Sequence, residues 1–223
     1  MGEMEKPERI LPPLKSTPPE QPLSPHISLL LERTNLGISS QTIIELADTI
    51  QKDLLQGYKL LIDLDKGIGG VGLYNVNKQE GDRVTGAYRG EFRGLFRPIQ
   101  YVYASLGEDD LVWNARYIVL NSCLHVEKAV KYRFKIPEYN GSSLGILLWR
   151  KPAVRSTLDE PFFEILSGLN DTIYKKNKHT IEHIKIDAHD YSPADAIAVY
   201  LICRCAGVQL LEPTGLFNYW KRD

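Results

Sequence analysis

The stretch that decides the fold is DLVWNARYIVLNSCLHVEKAVKYRF, residues 110–134. Val112, Ala115, Val119, Ser122, Val126 and Ala129 recur at three- and four-residue spacing, the period of one helix face. Asp109 or Asp110 precedes the first periodic position, where a carboxylate accepts from the free N–H groups of a first turn. The pattern lasts to about Phe134, and Pro137 to Ser143 reads as a loop. Strict apolar–polar alternation, the mark of a half-buried strand, is nearly absent from the chain. The fold class expected is therefore all-α, a bundle of about four to six helices.

Working outward, Ile43, Leu46, Ala47, Ile50, Leu54 and Leu55 form a second helical stripe, with Ser39 or Ser40 as its cap and an end near Tyr58 or Leu61. Residues 63–86 are glycine-rich and read as a long loop. Helical character returns from Val84 to Tyr103, divided at Pro98, because proline removes a donor and clashes with the preceding turn. Leu144 to Trp149 is a short apolar helix. Phe162, Phe163, Leu166, Leu169 and Ile173 give the core face of a helix from about Leu158 to His183. Ser192-Pro193-Ala194-Asp195 opens another: a serine cap, proline at the first position and an acid in the first turn. It runs to Ala206, with Gly207 placed to end it. Residues 1–37 read differently. Seven prolines from Pro7 to Pro25 cannot sit in one helix or strand, so a disordered proline-rich arm is expected, with room for a protein-binding motif. Residues 38–223 then form a single helical domain.

The 223 residues carry a net charge of −1, with 43% hydrophobic and 25% charged. This is ordinary globular composition, and a chain of this length buries a core without covalent staples. Balanced charge argues against a wholesale polyanion binder and leaves a local basic patch open. Cys123, Cys203 and Cys205 read as reduced and buried. The N-terminal residues lack an apolar secretory segment, and charge breaks the apolar runs. A cytoplasmic protein with no membrane span is expected.

Asn170 to His183, NDTIYKKNKHTIEH, holds the densest chemistry. His179 and His183 are four apart and share one helix face. His179-Thr180-Ile181-Glu182-His183 matches the inverted zinc-protease pattern, in which two imidazoles hold the metal and the glutamate activates water. Only Glu212 follows far downstream as a third ligand, with Asp187, His189 and Asp190 nearer, and a polar helix end facing solvent explains the same residues. Gly67-Ile68-Gly69-Gly70-Val71-Gly72 matches a dinucleotide fingerprint. That motif needs a helix opening from its last glycine, and residues 73–82 show no helical pattern, so the segment reads as a connection.

Basic residues are segregated. Arg89, Arg93 and Arg97 recur every four residues beside Phe92 and Phe96. Lys128, Lys131, Arg133, Lys135, Arg150, Lys151 and Arg155 face one acid, Glu138, and Lys175, Lys176 and Lys178 add a third cluster. Such faces contact phosphate backbones, and they are also what any solvated helix shows. Asn114, Asn121, His125 and Lys128 fall opposite much of the core stripe of residues 110–134. His125 would meet His179 if the two helices pack antiparallel.

Over roughly residues 109–211 the chain resembles HEPN domains, helical bundles widespread in prokaryotic defence and toxin–antitoxin systems. The resemblance lies in the helix Trp113–Lys128, the run Leu169 to His179 and Tyr191-Ser192-Pro193-Ala194-Asp195-Ala196-Ile197. It implies a bundle that is often homodimeric. It also implies a metal-independent ribonuclease, with an arginine separated from a histidine by four to six residues. There the arginine steadies phosphate and the histidine transfers protons. His179 occupies the histidine place. The arginine places hold Thr172, Ile173 and Tyr174, and the neighbouring Lys175 and Lys176 lack a guanidinium fork. The expectation is an RNA-associated module, degenerate or inactive as a ribonuclease. His179 is its candidate catalytic residue, and Lys175, Lys176, Lys178, His183, Asn121 and His125 its candidate nucleic-acid contacts. No metal or cofactor is called for. The alternatives are a non-catalytic interaction protein and a metal-dependent hydrolase through His179, Glu182 and His183.

Overall fold

The computed structural model describes residues 23–68, 102, 105–106, 111–137, 140–175 and 191–214, and every regular element among them is helical. In chain order these are α1 (Pro25–Arg33), α2 (Ser40–Lys52), α3 (Leu54–Gly67), α4 (Leu111–Arg133), α5 (Leu144–Arg150), α6 (Pro152–Thr157), α7 (Glu160–Gly168) and α8 (Pro193–Leu211). A π-helical segment, Leu169–Tyr174, continues α7, and a 3-10 turn, Glu212–Thr214, follows α8. The all-α reading holds.

The centre of the bundle is α8. Ser192 begins it as expected: its hydroxyl accepts from the Asp195 N–H at 3.0 Å, and the Asp195 carboxylate accepts from the Ser192 N–H at 3.3 Å. This reciprocal pairing satisfies two donors that a helix start leaves open. From Ala194 to Gly207 every residue is buried, so this stretch of α8 has no solvent face and no amphipathic stripe. Pro193–Thr214 is long and apolar enough to cross a membrane by length and composition, although Asp195 and Arg204 interrupt it as charges. Here it is wrapped by the other helices, with 89% of the apolar window buried.

α4 lies along α8, and α2, α1 and α7 also pack on it. Polar contacts tie α3 to it: Arg204 Nε donates to Asp65 Oδ1 at 2.7 Å, with both side chains 1% exposed. The Tyr200 hydroxyl reaches the same oxygen at 3.4 Å.

Several boundaries differ from expectation. The arm expected over residues 1–37 contains α1, whose Ile27, Leu30 and Leu31 enter the core; residues 1–22 lie outside the described set. Ser24 anchors this helix, its N–H and hydroxyl each donating to an Asp195 carboxylate oxygen at 2.8 Å. The expected helix from Ser39 to about Leu61 is two helices. Asp53 breaks the first, then accepts from the Gln56 N–H at 3.1 Å and so caps α3. α8 does not stop at Gly207 but continues to Leu211. A Cβ at Gly207 would lie 2.2 Å from His125 Nε2. This glycine permits close approach of α4 rather than a helix end. With α6 unforeseen as well, the α-helices with a described range among the described residues number eight, against the expected four to six.

Candidate functional site

The candidate region begins in the π segment. Asp159 starts α7 by accepting from the Phe162 N–H at 2.9 Å, and regular α-helix ends at Gly168. Beyond it the register widens, and the Lys175 N–H bonds to the Asn170 carbonyl. π turns carry one extra residue per turn and concentrate at functional sites. This one turns Leu169, Asn170, Ile173 and Tyr174 inward and leaves Lys175 exposed at its end.

The segment is fixed by a buried carboxylate. The Tyr174 hydroxyl donates to Glu127 Oε2 at 2.6 Å, and Lys131 Nζ pairs with Glu127 Oε1 at 2.8 Å. Tyr174, Glu127 and Lys131 are 1%, 8% and 7% exposed. Both oxygens of Glu127 are engaged, so its charge is matched where water is scarce. On the other side, α5 packs against the π segment. A Cβ at Gly145 would fall 2.9 Å from Asn170 Nδ2, so glycine there lets the two backbones approach. The Asn170 amide donates to Asp171 Oδ1 at 2.7 Å.

The predicted site residues separate. Lys175 is exposed. Asn121 is half-buried, and its amide donates to the Tyr117 carbonyl of its own helix at 2.8 Å. His125 is 1% exposed and set against Gly207 of α8. It faces the core, not an open nucleic-acid face, because α4 is covered by α8 on one side and by the π segment on another. His179, His183, Lys176, Lys178 and Glu182 lie outside the described residues, as do Asp187, His189 and Asp190. The meeting of His125 with His179 therefore lies outside them too. Among the described residues no three His, Cys, Asp or Glu side chains cluster as a metal site.

The basic run from Lys128 to Arg155 is also sorted. Lys131 is consumed by Glu127. Arg133 donates to the Gln209 carbonyl at 3.5 Å and lies over the Phe134 ring. Arg155 pairs with Glu160 at 2.5 Å and stands 3.9 Å from the Phe163 centroid. Lys135, Arg150, Lys151 and Lys175 form no ion pair among the described residues. The Arg89–Arg97 stripe lies outside the described residues. So does the glycine motif beyond Ile68; Leu60, Leu61 and Ile62, which precede it, belong to helix α3 and not to the strand a dinucleotide fold requires.

One residue escaped the sequence reading. Trp149 is 60% exposed and meets Phe163 edge to face, with centroids 5.0 Å apart. The available signal was Ile146, Trp149 and Arg150 at helical spacing, followed at once by Lys151.

The three cysteines are free thiols and buried. Burial, then the hydrogen bond with Cys123, pushes the Cys203 thiol well above its ordinary range. Burial likewise raises Cys205. Tyr191 is raised by burial, then by Cys123 and Asp195, against the opposing effect of Arg116. Reactive cysteines require a stabilised thiolate, so these cysteines belong to the core.

Comparison with protein-family models, curated proteins and solved structures finds no match to this chain.

Proposed function

We propose that this chain is an RNA-binding helical module of the HEPN-like kind. The observation that carries this reading is the packing of α5 on the π segment. It places two cationic segments, separated in sequence, on helices in contact: Arg150 and Lys151 at the end of α5, and Lys175 at the end of the π segment. None of the three has an ion pair among the described residues. Their charge is available to phosphates, whose condensed counterions are released on binding. The buried Tyr174–Glu127–Lys131 contact holds the π segment that leads to Lys175; Lys176, Lys178 and His179 follow in the sequence. Glu127 thus supports the cationic segment from within while its own charge is neutralised.

Fluorescence anisotropy with a labelled single-stranded RNA tests this reading. Three phosphate contacts give a slope of about −2 in log affinity against log salt. Reversing Arg150, Lys151 and Lys175 to glutamate removes most of that slope. Absence of binding at low salt, or a slope unchanged in the triple variant, refutes the reading. Cleavage that survives EDTA and disappears in His179→Ala makes the module a ribonuclease; binding without cleavage makes it a non-catalytic one. Sedimentation over a range of concentrations tests the accompanying homodimer.

A further inference from the structure

Tryptophan is the largest apolar side chain, and burying it is worth more than for almost any other residue. Trp149 is nonetheless 60% exposed. Its ring is held: it meets Phe163 at 5.0 Å with an interplanar angle of 88°. Phe163 is only 3% exposed and carries the Arg155 guanidinium 3.9 Å from its centroid. One ring in edge-to-face contact leaves most of the side chain open: at 60% exposure Trp149 offers aromatic surface to a ligand. Ile146, one turn earlier, is 38% exposed and adds a small apolar margin.

The charge around this ring is of one sign along the chain. From Leu144 to Leu158 the sequence has Arg150, Lys151 and Arg155 and no acid. Arg155 is occupied by Glu160 and Phe163, which leaves Arg150 and Lys151 for a ligand. An apolar area of two side chains is small for a protein partner, whose stable interfaces bury roughly 800 Å² per side. A flat face bordered by two cations suits a ligand that is planar in one part and anionic in the next. An unpaired nucleotide has this form.

We propose that Trp149 is a stacking platform for an unpaired base, with Arg150 and Lys151 holding the flanking phosphates. This rests on the RNA-binding reading and adds a substrate class, single-stranded rather than duplex nucleic acid. Inside a duplex both faces of a base are covered by its neighbours, so away from the terminal pairs Trp149 has nothing to stack on. Every base has a π face, so stacking of this kind is tolerant of sequence, and single-stranded DNA should bind through the same ring.

The test compares wild type, Trp149→Phe, Trp149→Leu and Arg150→Glu/Lys151→Glu, each checked for an unchanged circular dichroism melt. The ligands are a twelve-nucleotide single-stranded RNA, the same sequence as DNA, a blunt RNA duplex and an abasic strand. Trp149→Leu keeps apolar bulk but loses the π face. It should weaken both single strands by at least about fivefold, leave the duplex and abasic strand unchanged, and be rescued by phenylalanine. The charge reversal should weaken all four ligands. In a Trp113→Phe/Trp220→Phe background, emission from Trp149 should be quenched by the single strand and not by the abasic one. Wild-type affinity in Trp149→Leu, equal losses on single strand and duplex, or unquenched emission overturns the stacking assignment and leaves RNA binding standing. Failure of the wild type to bind any RNA removes both.

Discussion

Arg204 of α8 and Asp65 of α3 form an ion pair with both side chains 1% exposed and a 2.7 Å bond from Nε to Oδ1. A pair so completely removed from water costs desolvation on both sides, and its removal in halves is worse than its removal whole. Asp65→Ala leaves a guanidinium in the core and should cost roughly 3–5 kcal/mol. Asp65→Leu combined with Arg204→Met should recover most of that loss. Urea denaturation of Asp65→Ala, Asp65→Leu, Arg204→Met and the double variant measures it. Additive losses in the double variant would show that the two groups do not act together.

At the crossing of α4 and α8 the contact is steric. Alanine at position 207 puts its Cβ 2.2 Å from His125 Nε2, and His125 is buried. Alanine is intrinsically the better helix former by about 1 kcal/mol, so propensity alone predicts stabilisation. Overpacking typically costs about 1–3 kcal/mol, and a ring enclosed on all sides has little room to move. Gly207→Ala should therefore destabilise, and His125→Ala should relieve the effect in the double variant. A stabilising Gly207→Ala would mean that the helices separate easily.

The hydroxyl of Tyr174 is the link between the π segment and α4. A hydrogen bond to a charged group contributes about 1.5–3 kcal/mol. Tyr174→Phe should lose that amount and leave Glu127 with one partner fewer. The loss should be local: hydrogen exchange at residues 170–175 should accelerate more than exchange in α8. Uniform acceleration would make the contact a part of global stability alone.

Buried acids set the alkaline limit, Tyr191, Cys203 and Cys205 among them. Tyr191 and Cys203 both have raised folded values, so the folded protein holds their protons more tightly than the unfolded chain. The stability they contribute is complete below the unfolded values, about 8.5 for cysteine and 10 for tyrosine, and falls as pH rises beyond them. Urea midpoints should be flat from about pH 7 to 8.5 and decline above. Cys203→Ala should flatten the first part of the decline and Tyr191→Phe the part above about pH 10. At neutral pH all three thiols should resist alkylation until the chain unfolds.

The helices legible in the sequence were those with one wet face or a strong cap. Val112 to Ala129 showed its period, and Ser192-Pro193-Ala194-Asp195 showed a helix start that the structure has at the same residues. α1 was hidden because prolines dominate the composition ahead of it, while its core contribution is only Ile27, Leu30 and Leu31. The break at Asp53 was hidden by apolar periodicity that continues across it. The π segment has no residue code, since it is a change of hydrogen-bond register that Tyr174 and Glu127 stabilise from 47 residues apart. His125 was assigned to a polar face for a related reason. Periodicity finds the face opposite a stripe, but it does not reveal that a second element covers that face too. Of the candidate contacts, Lys175 keeps an open position, whereas the role of Trp149 depended on an exposure that sequence does not record.

Ser24 and Asp195 are 171 positions apart, yet the carboxylate that closes the first turn of α8 also receives both donors of Ser24. Mechanically, the start of α1 and the cap of the innermost helix are one joint. A load applied at Ser24 would reach the oxygens that hold the first turn of α8, and so the middle of the protein rather than its margin.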